Sequence, residues 1–123
     1  PELGFWMDSL RKKEYCLISH GHSDHTARHT HPILTSNTCL ILGDYLRRSD
    51  PIVLEYREEF ETPDYKLTLY PAGHCLGSAQ SLVSAASSLM ASLLNPNLSR
   101  YSLSNFFDSP LLYIGVFSAK SIF

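Results

Sequence analysis

The sequence lacks paired cysteines, a basic surplus and any apolar run long enough to span a membrane. Its three cysteines, Cys16, Cys39 and Cys75, are odd in number, widely spaced and never in a C-x-x-C pair. That excludes a disulfide framework and a structural zinc knuckle, and the three read as buried thiols in a reducing compartment. The formal charge of -2 offers no basic excess of the kind that binds nucleic acid by charge alone. An anionic substrate would have to be held by something else, and a bound metal is the obvious candidate. No apolar stretch approaches the ~20 residues of a membrane span, and the start carries no signal-peptide pattern, so a soluble cytoplasmic protein without a membrane partner is expected. No internal repeat is visible, and Ser78 has no partner base, which argues against a serine nucleophile.

At 123 residues the chain fits one modest domain. It starts at Pro1 rather than Met and stays apolar from Leu111 to Phe123, so a piece of something larger is expected.

What the chain does have is concentrated in one octet, Ile18-Ser19-His20-Gly21-His22-Ser23-Asp24-His25, directly after the apolar run Tyr15-Cys16-Leu17-Ile18. Imidazole and carboxylate suit zinc and similar divalent ions. In the extended His20-x-His22 the two rings leave on the same side, so one ion can take both. Asp24 and His25 lie where the chain turns and point elsewhere, in position for a second ion. Two metals ~3.5–4 Å apart clamp attacking and leaving oxygens and acidify bound water, which is hydrolytic chemistry. Four ligand-type residues in six positions after a buried strand are hard to explain as mere polar surface.

Around this motif, strands are expected at Leu3 to Met7, Tyr15 to Ser19, Ile33 to Thr35, Pro51 to Tyr56, Tyr65 to Tyr70 and Leu111 to Phe117. Asp8 starts a turn. Thr26 to Thr30 is expected to form a short helix capped by Asp24 and ended by Pro32, and a second helix capped by Ser36 is expected to run to Arg47-Arg48. The acidic stretch Glu58 to Asp64 reads as a solvated linker. The resulting class is α/β, with a mixed sheet whose strands alternate with helices.

A second loop, Pro71-Ala72-Gly73-His74-Cys75-Leu76-Gly77-Ser78-Ala79-Gln80, carries a single histidine between two glycines. A lone loop histidine can be a ligand or a hydrogen-bonded structural residue, and spacing leaves both open. Gly73 and Gly77 would let the backbone approach an ion or a phosphate, while Cys75 reads as a small buried hydrophobe. His29, one helical turn beyond His25, is placed to hydrogen-bond a ligand; as polar residues past the motif, neither it nor His31 needs such a role.

The two loops together, His20-x-His22-x-Asp24-His25 and Pro71-Ala72-Gly73-His74-x-Leu76-Gly77-Ser78-Ala79-Gln80, resemble the metallo-β-lactamase superfamily. Within it the chain resembles the nuclease branch related to the messenger-RNA 3′-end-processing endonuclease, including bacterial exonucleases associated with DNA ligase. The resemblance covers residues 1 to ~83 and Leu111 to Phe117. The G-H-x-x-G-S-A form around His74 is its more discriminating part. It implies the N-terminal half of a four-layer αββα fold and a nucleic-acid substrate, RNA or DNA. It further implies one zinc on His20, His22 and His74 and another on Asp24 and His25. Asp24 would also orient or deprotonate the water, and the reaction would be phosphodiester hydrolysis by metal-bound hydroxide.

The departures are specific. Where the family has a Gly-Asp-Phe whose aspartate bridges both ions, this chain has Gly115-Val116-Phe117, and no histidine follows His74. The family's covering domain is absent, and the serine- and asparagine-rich residues 85–110 read as an insertion or a disrupted segment. Residues 1–123 are thus expected to be a single partial domain whose second zinc site is incomplete. Two alternatives follow: a thioester or lactam hydrolase of the same fold, and an inactive relative that binds metal or a partner.

Overall fold

The computed structural model describes residues 4–86 and the strand at 111–116. Four short strands, β1 (Trp6–Met7), β2 (Tyr15–Leu17), β3 (His31–Thr35) and β4 (Ile52–Leu54), form a parallel sheet in that order. Four more, β5 (Glu59–Glu61), β6 (Tyr65–Pro71), β7 (Ala79–Ala86) and β8 (Leu111–Val116), form an antiparallel sheet. The α/β class expected from sequence holds, with the parallel and antiparallel strands segregated into two sheets.

The patterning explains the layering. Leu17, Ile18, Ile33 and Leu34 are fully buried, as expected of parallel strands covered on both faces. Leu17 and Ile33 belong to a core shared with Tyr65, Leu67, Leu69, Ala79 and Val83, so the two sheets pack face to face. Ile18 and Leu34 face the other way, onto Leu46, Cys39, Leu42 and Tyr45 of the helical layer. Strand β6 alternates buried Tyr65, Leu67 and Leu69 with half-buried Lys66, Thr68 and Tyr70, as its sequence predicts. Each buried leucine or isoleucine contributes about 1.5–3 kcal/mol.

Several local expectations need correction. Residues 26–30 form no helix: Ser23–His25 makes one tight 3-10 turn and Thr26 is already extended. The chain must return from the end of β2 to His31, which pairs level with Tyr15. Its amides are committed elsewhere: His29 N–H donates to the Ala27 carbonyl at 2.9 Å, and Thr30 and His31 N–H donate to Lys13 and Glu14 beside β2 at 3.0 and 2.7 Å, so no helical ladder can form. Pro32 does not end a helix but sits inside β3. His31 N–H donates to Glu14 and the Ile33 carbonyl accepts from Ile18, so Pro32 turns its donor-less nitrogen to the other side, where β4 has not yet begun.

The second helix, α1 (Ser36–Leu42), is capped by Thr35 rather than Ser36, because the Thr35 hydroxyl accepts from Thr38 N–H at 3.3 Å. It ends early at Gly43, whose φ of 42° breaks the α pattern before a 3-10 turn at Gly43–Leu46. The acidic linker contains β5, where Glu59 and Glu61 reach Lys66 at 2.8 and 3.7 Å while facing solvent. Of the cysteines, all free, Cys16 alone is fully buried, and burial pushes its thiol up to about 11. Residues 87–110, with most of the expected insertion, and Phe117 lie outside the described residues.

Candidate metal centre

His20 and His22 follow β2 and His74 lies between β6 and β7, where the two sheets meet: Ala79 N–H donates to the Ser19 carbonyl at 2.8 Å. His20 Nε2 stands 3.1 Å from His22 Nδ1, and His74 Nε2 stands 3.4 Å from the same atom. All three ligand atoms lie within 4.8 Å of one another. Two nitrogens each 2.0–2.1 Å from a tetrahedral zinc are about 3.3–3.4 Å apart, so the two spacings to His22 match one ion, and the third pair lies within a ring rotation of it. Without a cation, one ring must turn a proton toward the others; with one, all three lone pairs share a partner. The structure therefore brings His74, whose role spacing left open, within reach of an ion shared with His20 and His22.

The tautomers follow from a residue whose part the sequence concealed. Asp8, at the end of β1 with a φ of 43°, accepts from Ser19 N–H at 2.8 Å, Ser19 Oγ–H at 2.6 Å and His25 Nδ1–H at 2.9 Å. Having given its one proton to Asp8, Ser19 Oγ accepts from His20 Nδ1–H at 2.9 Å. One carboxylate thus leaves the Nε2 lone pairs of both His20 and His25 free for an ion. Burial, followed by the charges of His25, His22 and His74, pushes His20 below the ordinary 6.5 and favours the neutral, ligating form.

His25 Nε2 lies 3.4 Å from Asp24 Oδ2, and its ring centroid is 4.2 Å from that of His20. Asp24 is exposed and caps nothing. The pair thus adjoins the histidine trio without belonging to its three-nitrogen group. Position 116 belongs to the same end of the antiparallel sheet by register: Val116 pairs with Ser81, two residues beyond Ala79.

The His74 loop is shaped by groups that the sequence reading passed over. Ser78 Oγ, buried, accepts from His74 N–H and Cys75 N–H at 3.1 Å each. The Gly77 carbonyl accepts from Thr35 Oγ1 at 2.7 Å and Thr38 Oγ1 at 3.0 Å. Gly77 has φ +79°, and a Cβ there would lie 2.6 Å from Thr38 N. The close approach that needs a glycine at 77 is to the start of α1. Gly21 likewise lets the histidine loop settle on α1, since a Cβ there would meet Ile41 Cγ2 at 3.0 Å.

His29 is no ligand partner. It is buried, its Nδ1 accepts from Lys13 N–H at 3.1 Å and its carbonyl accepts from Ser49 Oγ–H. Among the described residues its Nε2 finds no partner at hydrogen-bonding geometry. His31 stacks on Tyr15 with centroids 4.9 Å apart. Among the described residues no helix is long and apolar enough to cross a membrane.

No family model matches the chain. Over 85 residues, 68% of its length, the chain is 36% identical to a protein described as a probable DNA ligase from Opitutus terrae (strain DSM 11246 / JCM 15787 / PB90-1). It spans 8% of that relative.

Proposed function

We propose that this chain is part of a metal-dependent nuclease of the metallo-β-lactamase superfamily, with His20, His22 and His74 holding one zinc and Asp24 and His25 contributing to a second. The observation that carries this reading is the convergence of three imidazole nitrogens from loops 52 residues apart, at ligand spacing, with the His20 tautomer set by Ser19 and Asp8. Divalent ions there would neutralise a phosphodiester and acidify water. The protein's own part is orientation: Asp8 aims two rings, and exposed Asp24 stands beside His25 to take or hold a proton of the attacking water. A DNA strand is the first substrate to test, since the matched relative is described as a probable DNA ligase, with single-stranded RNA as the comparison. Short of that relative's whole length, the chain's own chemistry is hydrolytic.

The test combines zinc analysis with cleavage of single-stranded DNA and RNA. His22→Ala, which removes the nitrogen facing both other ligands, should abolish zinc retention and cleavage. Cleavage surviving in that variant would overturn the assignment, and turnover of a thioester but of neither strand would favour a small-molecule hydrolase. A second reading, an inactive metal-binding relative, is favoured by Val116, since Gly115-Val116-Phe117 stands where the family it resembles has Gly-Asp-Phe. No cleavage by the natural chain or by Val116→Asp would support it.

A further inference from the structure

The histidine loop leads to a feature that net charge conceals. Arg28, three residues past His25, lines an open cleft of about 610 Å³ with Arg47, Arg48 and Asp44. The Arg28 guanidinium lies 5.1 Å from the Tyr45 ring centroid, and Tyr45 packs on the buried Ile18–Leu34–Leu46 cluster, so the cation is held by an anchored aromatic face. None of the three guanidinium groups has a carboxylate within ion-pair distance among the described residues, and Asp44 is the one acidic group in the lining. Three unneutralised planar cations facing one open cleft suit phosphate oxygens, which arginine binds in a bidentate manner.

The cleft is tied to the metal loop from both sides. Arg28 follows it directly, three residues past His25 and within about 10 Å of it by contour length. Helix α1, whose Ile41 abuts Gly21, leads through the 3-10 turn to Arg47 and Arg48. We propose that Arg28, Arg47 and Arg48 form a binding site for backbone phosphates of a nucleic-acid strand beyond the bond being cleaved. The inference rests on the nucleic-acid reading above. The site supplies the cationic contacts that the chain's overall charge of -2 does not, and it reads no base sequence.

The test measures binding of the zinc-loaded protein to a phosphorothioate-linked oligothymidine, which resists hydrolysis, across a salt series. The variant Arg28→Gln/Arg47→Gln/Arg48→Gln should bind about tenfold or more weakly at low salt, with its log–log salt slope reduced by about 2, given ~0.7 per phosphate contact on single strands. Arg11→Gln, a charge loss outside the cleft, should change the slope far less. Equal slopes for the triple variant and the natural chain, with unchanged melting, would overturn the proposal. So would loss of inorganic phosphate binding while oligonucleotide binding stays intact. Because binding is read without turnover, a chain that binds through these arginines but cleaves no strand would refute the nuclease reading and leave this site standing.

Discussion

The two loops that meet at the metal centre are held in opposite ways. The His20–His25 loop is fixed through side chains: Asp8 reaches across from β1, and its carboxylate orients the His25 ring directly and the His20 ring through Ser19. The His74 loop is fixed through its backbone, by the Gly77 carbonyl on Thr35 and Thr38 and by amides on Ser78. Ring orientation is preset in the first loop, whereas position alone is preset in the second. His74 itself is exposed, and its ring touches His20 and His22. The rings of His20 and His25 are thus oriented by hydrogen bonds, whereas His74 is placed only through the loop that carries it.

The largest break in this comparison should come from Gly77→Ala. A Cβ 2.6 Å from Thr38 N, at φ +79°, forces the second loop off α1. A loss of about 3 kcal/mol or more is expected from the overlap and the strained backbone, read by chemical denaturation, together with loss of the His74 ligand in zinc titrations. A neutral result would mean that the loop is not held through its backbone.

Asp8→Asn should act on the first loop and on orientation more than on stability. Loss of the shared acceptor charge should weaken zinc binding about 10- to 100-fold, measured by competition with a chelating dye. Unchanged affinity would show that Asp8 does not set the tautomers. The smallest effect concerns pH. Burial pushes His29, beneath the first loop, below the ordinary 6.5, against opposing pulls from Asp8 and the Ser9 backbone. Its contribution to stability is therefore complete above about pH 6.5, where the unfolded chain is neutral too. It is lost as pH falls toward the lower folded value, because the unfolded state then binds the extra proton. Amide exchange in residues 19–30 should accelerate on acidification more than in residues 72–79, and a uniform response would count against this.

Sequence carried the first loop almost whole, because four ligand-type residues within six positions are a local fact and strand spacing puts His20 and His22 on one side. The alternation of β6 and the apolar runs of β2 and β3 were legible for the same reason. Local reasoning failed at residues 26–30, where no breaker forbids a helix but the amides of Thr30 and His31 are taken by Lys13 and Glu14 beside β2. It failed again at Gly43, where an apolar stripe suggested continuity that the backbone interrupts.

The chain by itself determined the type of chemistry: imidazoles and a carboxylate grouped for a metal, in strands built to be buried. The tertiary structure decided which groups belong to that centre. His74 joins His20 and His22, Asp8 governs the protons of His20 and His25, and Thr35 meets Gly77 across 42 residues. Three arginines face one cleft in a chain of net negative charge. None of these pairings has a local signature, because hydrogen bonds, ligand sets and charge clusters depend on distance in space, and the packing of the two sheets and α1 sets that distance.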